Sequence, residues 1–134
     1  MGQRNIIDGY IQVEVRTKER FMPPPFEGHG LDIYKIGKYI DSSKRHDLPS
    51  YFMIVDLNDK CMYGQWFEKL EAGEHFDTRN GVRIYPMTSY KKLCNWQKFG
   101  EPPTTKDIQI LGDWGENTAR LYLKKKGYQI HSPD

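Results

Sequence analysis

Residues 10–18 read YIQVEVRTK, and apolar and polar residues alternate through the stretch. Successive side chains of an extended strand point to opposite faces, so Ile11, Val13 and Val15 fall on one side. Gln12, Glu14, Arg16 and Lys18 fall on the other. The pattern predicts a half-buried strand with one charged face. Before it, Asn5, Ile6 and Ile7 read as a partner strand, with Asp8-Gly9 as the hairpin turn. After it, residues 22–25 read MPPP. Proline fixes φ and lacks an N–H, so this segment is a rigid connector, neither helix nor central strand.

Further along, residues 30–47 carry Leu31, Tyr34, Ile36 and Ile40 at roughly helical spacing, with Lys35, Lys38 and Lys44 among them and Pro49 beyond the end. Residues 51–57, YFMIVDL, form a nearly continuous apolar run, which suits a central strand covered on both faces. Asn58-Asp59 turns the chain into a second strand over residues 60–67, and Asn80-Gly81 marks a turn before a short strand at 82–85. Residues 89–96 are expected to form a short helix. Residues 100–107 are a linker, opened by GEPPTT. The stretch after it, DWGENTARLYLKKK at 113–126, predicts a helix capped by Asp113 and stopped by Gly127. Residues 128–131 are expected as a last strand. The whole is read as one domain, residues 1–134.

A chain of 134 residues with 37% hydrophobic residues buries roughly two-thirds of its unfolded surface and supports one core. No apolar run approaches the roughly 18 residues of a membrane helix, and no signal peptide opens the chain, so a cytoplasmic protein without a membrane partner is expected. Cys61 and Cys94 lack partners at metal-ligand spacing and read as reduced thiols. The four histidines show no HxH or HxxxH pairing, which argues against a structural zinc site.

The net charge of +2 is mild, but its distribution is informative. Lys91, Lys92 and Lys98 surround Trp96, and Lys124, Lys125 and Lys126 form a second cluster. Cations interleaved with aromatics suit phosphate contact and base stacking, and a solvated face is the plainer reading of each. On the first strand, a carboxylate beside cations can hold a divalent ion and place positive charge near a phosphate, although most alternating strands simply have a charged face. Glu116, Ala119 and Leu123 fall on one face of the last helix, so Glu116 is expected to point inward, where a carboxylate is paired, protonated or metal-bound.

Residues 115–130, GENTARLYLKKKGYQI, resemble the opening helix and strand of Holliday-junction-resolvase-like PD-(D/E)xK nucleases. In that family the first strand leads to a metal-binding Asp, often after Pro, and then to a strand bearing Glu-x-Lys. Here Pro133-Asp134 stands at the first position, and Glu14-Val15-Arg16 at the other end of the chain stands at the second. Joining the termini restores the family order, as a circular permutation would. The resemblance covers about half the chain and departs from the motif where Arg16 replaces lysine. It implies an α/β fold, a small mixed sheet flanked by helices on a restriction-endonuclease-like core. It also implies a metal-dependent endonuclease hydrolysing DNA phosphodiesters, including branched or junction DNA. Glu14 and Asp134 would hold Mg²⁺ or Mn²⁺, Lys18 or Arg16 would supply the cation, and Glu116 would orient a metal-bound water or join the coordination shell. A homodimer would present two sites. The alternatives are a catalytically inactive nucleic-acid-binding module of the same fold and a protein-interaction domain.

Overall fold

The computed structural model describes residues 10–130 and is a mixed α/β arrangement of two sheets and three helices. In chain order these are β1 (Gln12–Lys18), β2 (Gly28–Asp32), α1 (Ile33–His46), β3 (Ser50–Asp56), β4 (Cys61–Trp66), α2 (Phe67–Ala72), β5 (Phe76–Asp77), β6 (Val82–Pro86), β7 (Lys91–Asn95) and α3 (Ile108–Lys125). One sheet runs β1-β3-β4-β7, and a smaller antiparallel sheet runs β2-β6-β5. β1 and β3 are parallel, which requires a crossover, and α1 lies within it. β3 and β4 form the expected antiparallel hairpin.

β3 shows why residues 51–57 read as continuously apolar. Phe52 and Ile54 join a core with Ile36, Phe67, Leu70 and Tyr85 on one face of the sheet. Met53 and Val55 join a second core with Met62, Trp96 and Ala119 on the other. The register pairs Glu14 with Phe52 and Val15 with Met53, so the two cores also assign the faces of β1. Val13 and Val15 pack toward α3, and Glu14 and Arg16 face α1.

α1 starts later than its periodicity suggested, because residues 28–32 are strand. Side chains are barred there: a Cβ on Gly28 would lie 2.1 Å from the Tyr85 carbonyl oxygen, and one on Gly30 would lie 1.7 Å from that of Arg83. The helix ends at Asp47, left-handed with φ 54, after Lys44, Arg45 and His46 in the last turn, where cations suit the dipole.

Three further expectations change. The helix expected at 89–96 is mostly strand β7, because Tyr90 and Trp96 pin its ends. Tyr90 donates its hydroxyl to the His29 carbonyl at 2.6 Å, and Trp96 donates Nε1–H to that of Asp56 at 2.8 Å. α3 begins at Ile108, capped by Asp107, which accepts the N–H groups of Gln109 and Ile110; Asp113 lies within the helix. The strand expected at 128–131 is not formed at 128–130. Gly127, at φ 99, turns the chain, and the Tyr128 N–H bonds the Leu123 carbonyl at 3.0 Å to close the helix end. The expected strand at residues 5–7, the turn at 8–9, His131 and Asp134 lie outside the described residues. No described helix is long and apolar enough to cross a membrane.

Candidate phosphodiester-binding cleft

β1 and α1 enclose an open cleft of about 390 Å³. β1 contributes Gln12, Glu14 and Arg16; α1 contributes Tyr34, Lys35, Lys38, Tyr39 and Ser42. The period of two on β1 and the three-to-four spacing on α1 aim these side chains at one another. Glu14 is the cleft's only lining carboxylate among the described residues, and its side chain is 14% exposed. Arg16 Nη2 lies 2.7 Å from Glu14 Oε2, and the Tyr39 hydroxyl donates to Glu14 Oε1. Burial and the neighbouring carboxylate raise the Tyr39 phenol pKa above its ordinary range, so it stays a donor. Tyr39 is further fixed by stacking on Phe67, with centroids 5.5 Å apart. Gln12 Nε2 donates to Ser50 Oγ at 3.1 Å, which ties the start of β1 to β3. Arg16 Nε is withdrawn from water and has no hydrogen-bond partner among the described residues. Arg16, Lys35 and Lys38 outnumber Glu14, so an anion is the natural guest.

The other residues singled out by sequence go elsewhere. Lys18 shares the strand face of Glu14, but its Nζ reaches the Gly30 carbonyl at 3.4 Å and does not line the cleft. Burial and the Arg16 charge lower its pKa, while Asp32 acts in the opposite sense. Arg16, not Lys18, is therefore the strand cation beside Glu14. Glu116 is exposed on α3, across the sheet from Glu14. The helix meets β1 through Gly115, Thr118 and Ala119, and Glu116, one residue on from Gly115, is rotated into water. Lys91 and Lys92 stand exposed on β7, at the opposite edge of the sheet from β1. Lys98, Lys124 and Lys125 are exposed near the end of α3, where Lys125 Nζ lies 5.9 Å from the Phe99 ring centroid. Phe99 packs on the α3-side core, so neither lysine cluster joins the cleft. Lys35 and Lys38, read from sequence only as part of a helix face, are its lysines.

A second polar cluster lay beyond sequence reasoning. His29 on β2 and Asp56 at the end of β3 are both buried, with Nε2 and Oδ2 2.7 Å apart. Arg20 binds three carboxylates, Asp56 at 3.1 Å, Glu27 at 2.8 Å and Asp59 at 2.9 Å. The backbone N–H groups of Asn58 and Asp59 donate to Asp56 Oδ1. The cluster closes the junction between the sheets. Its only sequence signals were a histidine between two close-packing glycines and an aspartate ending an apolar run.

Among the described residues, no group of three or more His, Cys, Asp or Glu side chains could hold a metal ion. A hard divalent cation takes six or more oxygen ligands, several of them from carboxylates or water. Glu14 alone does not make such a site. No protein-family model, curated protein or solved structure matches the chain.

Proposed function

We propose that the protein is a metal-dependent nuclease of the PD-(D/E)xK, restriction-endonuclease-like class in permuted order, taking a DNA phosphodiester into the β1–α1 cleft. The observation that carries this reading is the Glu14–Arg16 pair on β1, facing Lys35 and Lys38 across the cleft. β1, with Arg16 where the motif has lysine, is followed after β2 by a helix and a parallel strand, which is close to the segment order that the class resemblance implies. Arg16 and the two lysines line the cleft and would neutralise phosphate charge. Glu14 would supply one oxygen ligand, by giving up its contact with Arg16 or Tyr39. A bound Mg²⁺ or Mn²⁺ would supply activated water and charge neutralisation. The reading requires a second carboxylate from outside residues 10–130, and Asp134 is the one the sequence names.

A second reading has its own support. Glu14 is already satisfied by Arg16 and Tyr39, as expected of a phosphodiester-binding module that does not hydrolyse. Plasmid, branched DNA and single strands incubated with Mg²⁺, Mn²⁺ or a chelator separate the two. Metal-dependent cleavage lost in Glu14→Gln supports the nuclease. Salt-sensitive binding without cleavage in either metal supports the module. Absence of binding to all three substrates removes both.

A further inference from the structure

α1 carries two tyrosines into the cleft, and they are held in opposite ways. Tyr39 is anchored below by Phe67 and Glu14. Tyr34, in the first turn of the helix, is 66% exposed. Lys38 Nζ lies 4.8 Å from its ring centroid, and Lys35 is the next residue along the rim. The ring adds nothing to either core. A surface lysine can rest over a tyrosine without further consequence, but here the pair borders a cleft whose charge suits phosphate.

Resting on the phosphodiester-binding reading, we propose that the substrate is single-stranded DNA, with an unpaired base stacked on Tyr34 while the adjoining phosphates engage Lys35, Lys38 and Arg16. Bases within a duplex are stacked and paired, so their faces do not reach a ring at the rim of a cleft. An unpaired base can, and base–aromatic stacking is sequence-tolerant because every base has a π-face. The cation over the ring makes it a firmer platform by limiting its motion and adding cation–π attraction. A flap, a frayed end or the open centre of a branched molecule offers the same unpaired nucleotide.

The test is fluorescence anisotropy in chelator, where hydrolysis plays no part. It uses a labelled oligo-dT, an abasic strand of equal length and charge, and a duplex. The expected result is that oligo-dT binds more tightly than the abasic strand by about fivefold or more, the scale of one stacked base. Tyr34→Ala should remove that difference, and Tyr34→Phe should retain it. Substituting Lys35 and Lys38 together by Glu should weaken all three ligands. Equal binding of oligo-dT and abasic strand by the wild type, or an unchanged preference in Tyr34→Ala, overturns the stacking assignment while leaving the phosphate cleft standing. Loss of all binding to the wild type overturns both. The exposure of Tyr34 makes misfolding of either variant easy to exclude by its unchanged unfolding midpoint.

Discussion

His29 Nε2 lies 2.7 Å from Asp56 Oδ2, and both side chains are fully withdrawn from water. Burial lowers the pKa of the imidazole from 6.5, the charges of Lys18 and Arg20 act the same way, and Asp56 opposes them without prevailing. The unfolded chain therefore takes up a proton that the folded chain resists. That contribution to stability is complete above pH 6.5 and is lost as pH falls below it. Asp56 adds a lower window. Burial alone would raise its pKa, but the hydrogen bonds from His29 and from the Asp59 and Asn58 amides hold it at about 2, against 3.8 in the unfolded state. This second contribution is present above pH 3.8 and is lost as pH falls toward 2. Urea midpoints should be level between about pH 7 and 8, decline below 6.5 and decline further below 3.8. His29→Gln should remove the first decline. A wild-type midpoint that stays constant from about pH 7 to about pH 5 would contradict the assignment.

Arg20 and Arg45 provide an internal comparison of ion pairs. Arg20 compensates Asp56, which is fully buried, so Arg20→Ala leaves a carboxylate short of a partner in the interior. The expected cost is on the order of 3 kcal/mol. Arg45 pairs with Asp41 across one turn of α1, with both side chains about two-thirds in water. Arg45→Ala should cost about 0.5 kcal/mol or less, and added salt should shrink even that. Equal losses in chemical denaturation would show that burial of Asp56 does not govern the network.

The two glycines of α3 should respond to alanine with opposite signs. A Cβ on Gly112 meets nothing within 4 Å, so Gly112→Ala gains helix propensity, worth about 0.5–1 kcal/mol. A Cβ on Gly115 would lie 1.6 Å from Thr17 Oγ1 and 2.9 Å from Thr17 Cβ. Rotating the hydroxyl away does not relieve the second contact, so α3 must lift from β1. The expected loss is about 1–3 kcal/mol after the propensity gain. Thermal unfolding of the two variants checks this; a stabilised Gly115→Ala would mean that α3 does not seat on Thr17.

The parts of the fold that were legible in sequence are those decided by local pattern. β1 shows its alternation, β3 its two buried faces, and the α1 stop its proline. What escaped is decided by contacts between distant segments. β2 is a strand because β6 lies against Gly28 and Gly30 too closely for any side chain. β7 is extended because Tyr90 and Trp96 are bonded to β2 and β3. Glu116 looked inward because its spacing to Ala119 and Leu123 is helical, but Gly115 sets the closest approach and turns the stripe by one residue. For the candidate site, Glu14 and Arg16 were visible on one strand face. The α1 wall was not, since nothing local to residues 34–42 indicates which surface they meet.

The choice of cation on β1 follows from the same geometry. Arg16 touches Glu14, whereas Lys18 is drawn toward β2 by the Gly30 carbonyl. Under the nuclease reading, Arg16→Ala should reduce cleavage on the order of 100-fold, the scale of one lost electrostatic contact to a developing charge. It should also lower the salt dependence of DNA binding by about one phosphate contact. Lys18→Met should leave cleavage within about threefold, because the residue meets the sheet junction rather than the cleft. Cleavage abolished by Lys18→Met but tolerated in Arg16→Ala would return the role to Lys18 and require its side chain to swing from Gly30 into the cleft when DNA binds.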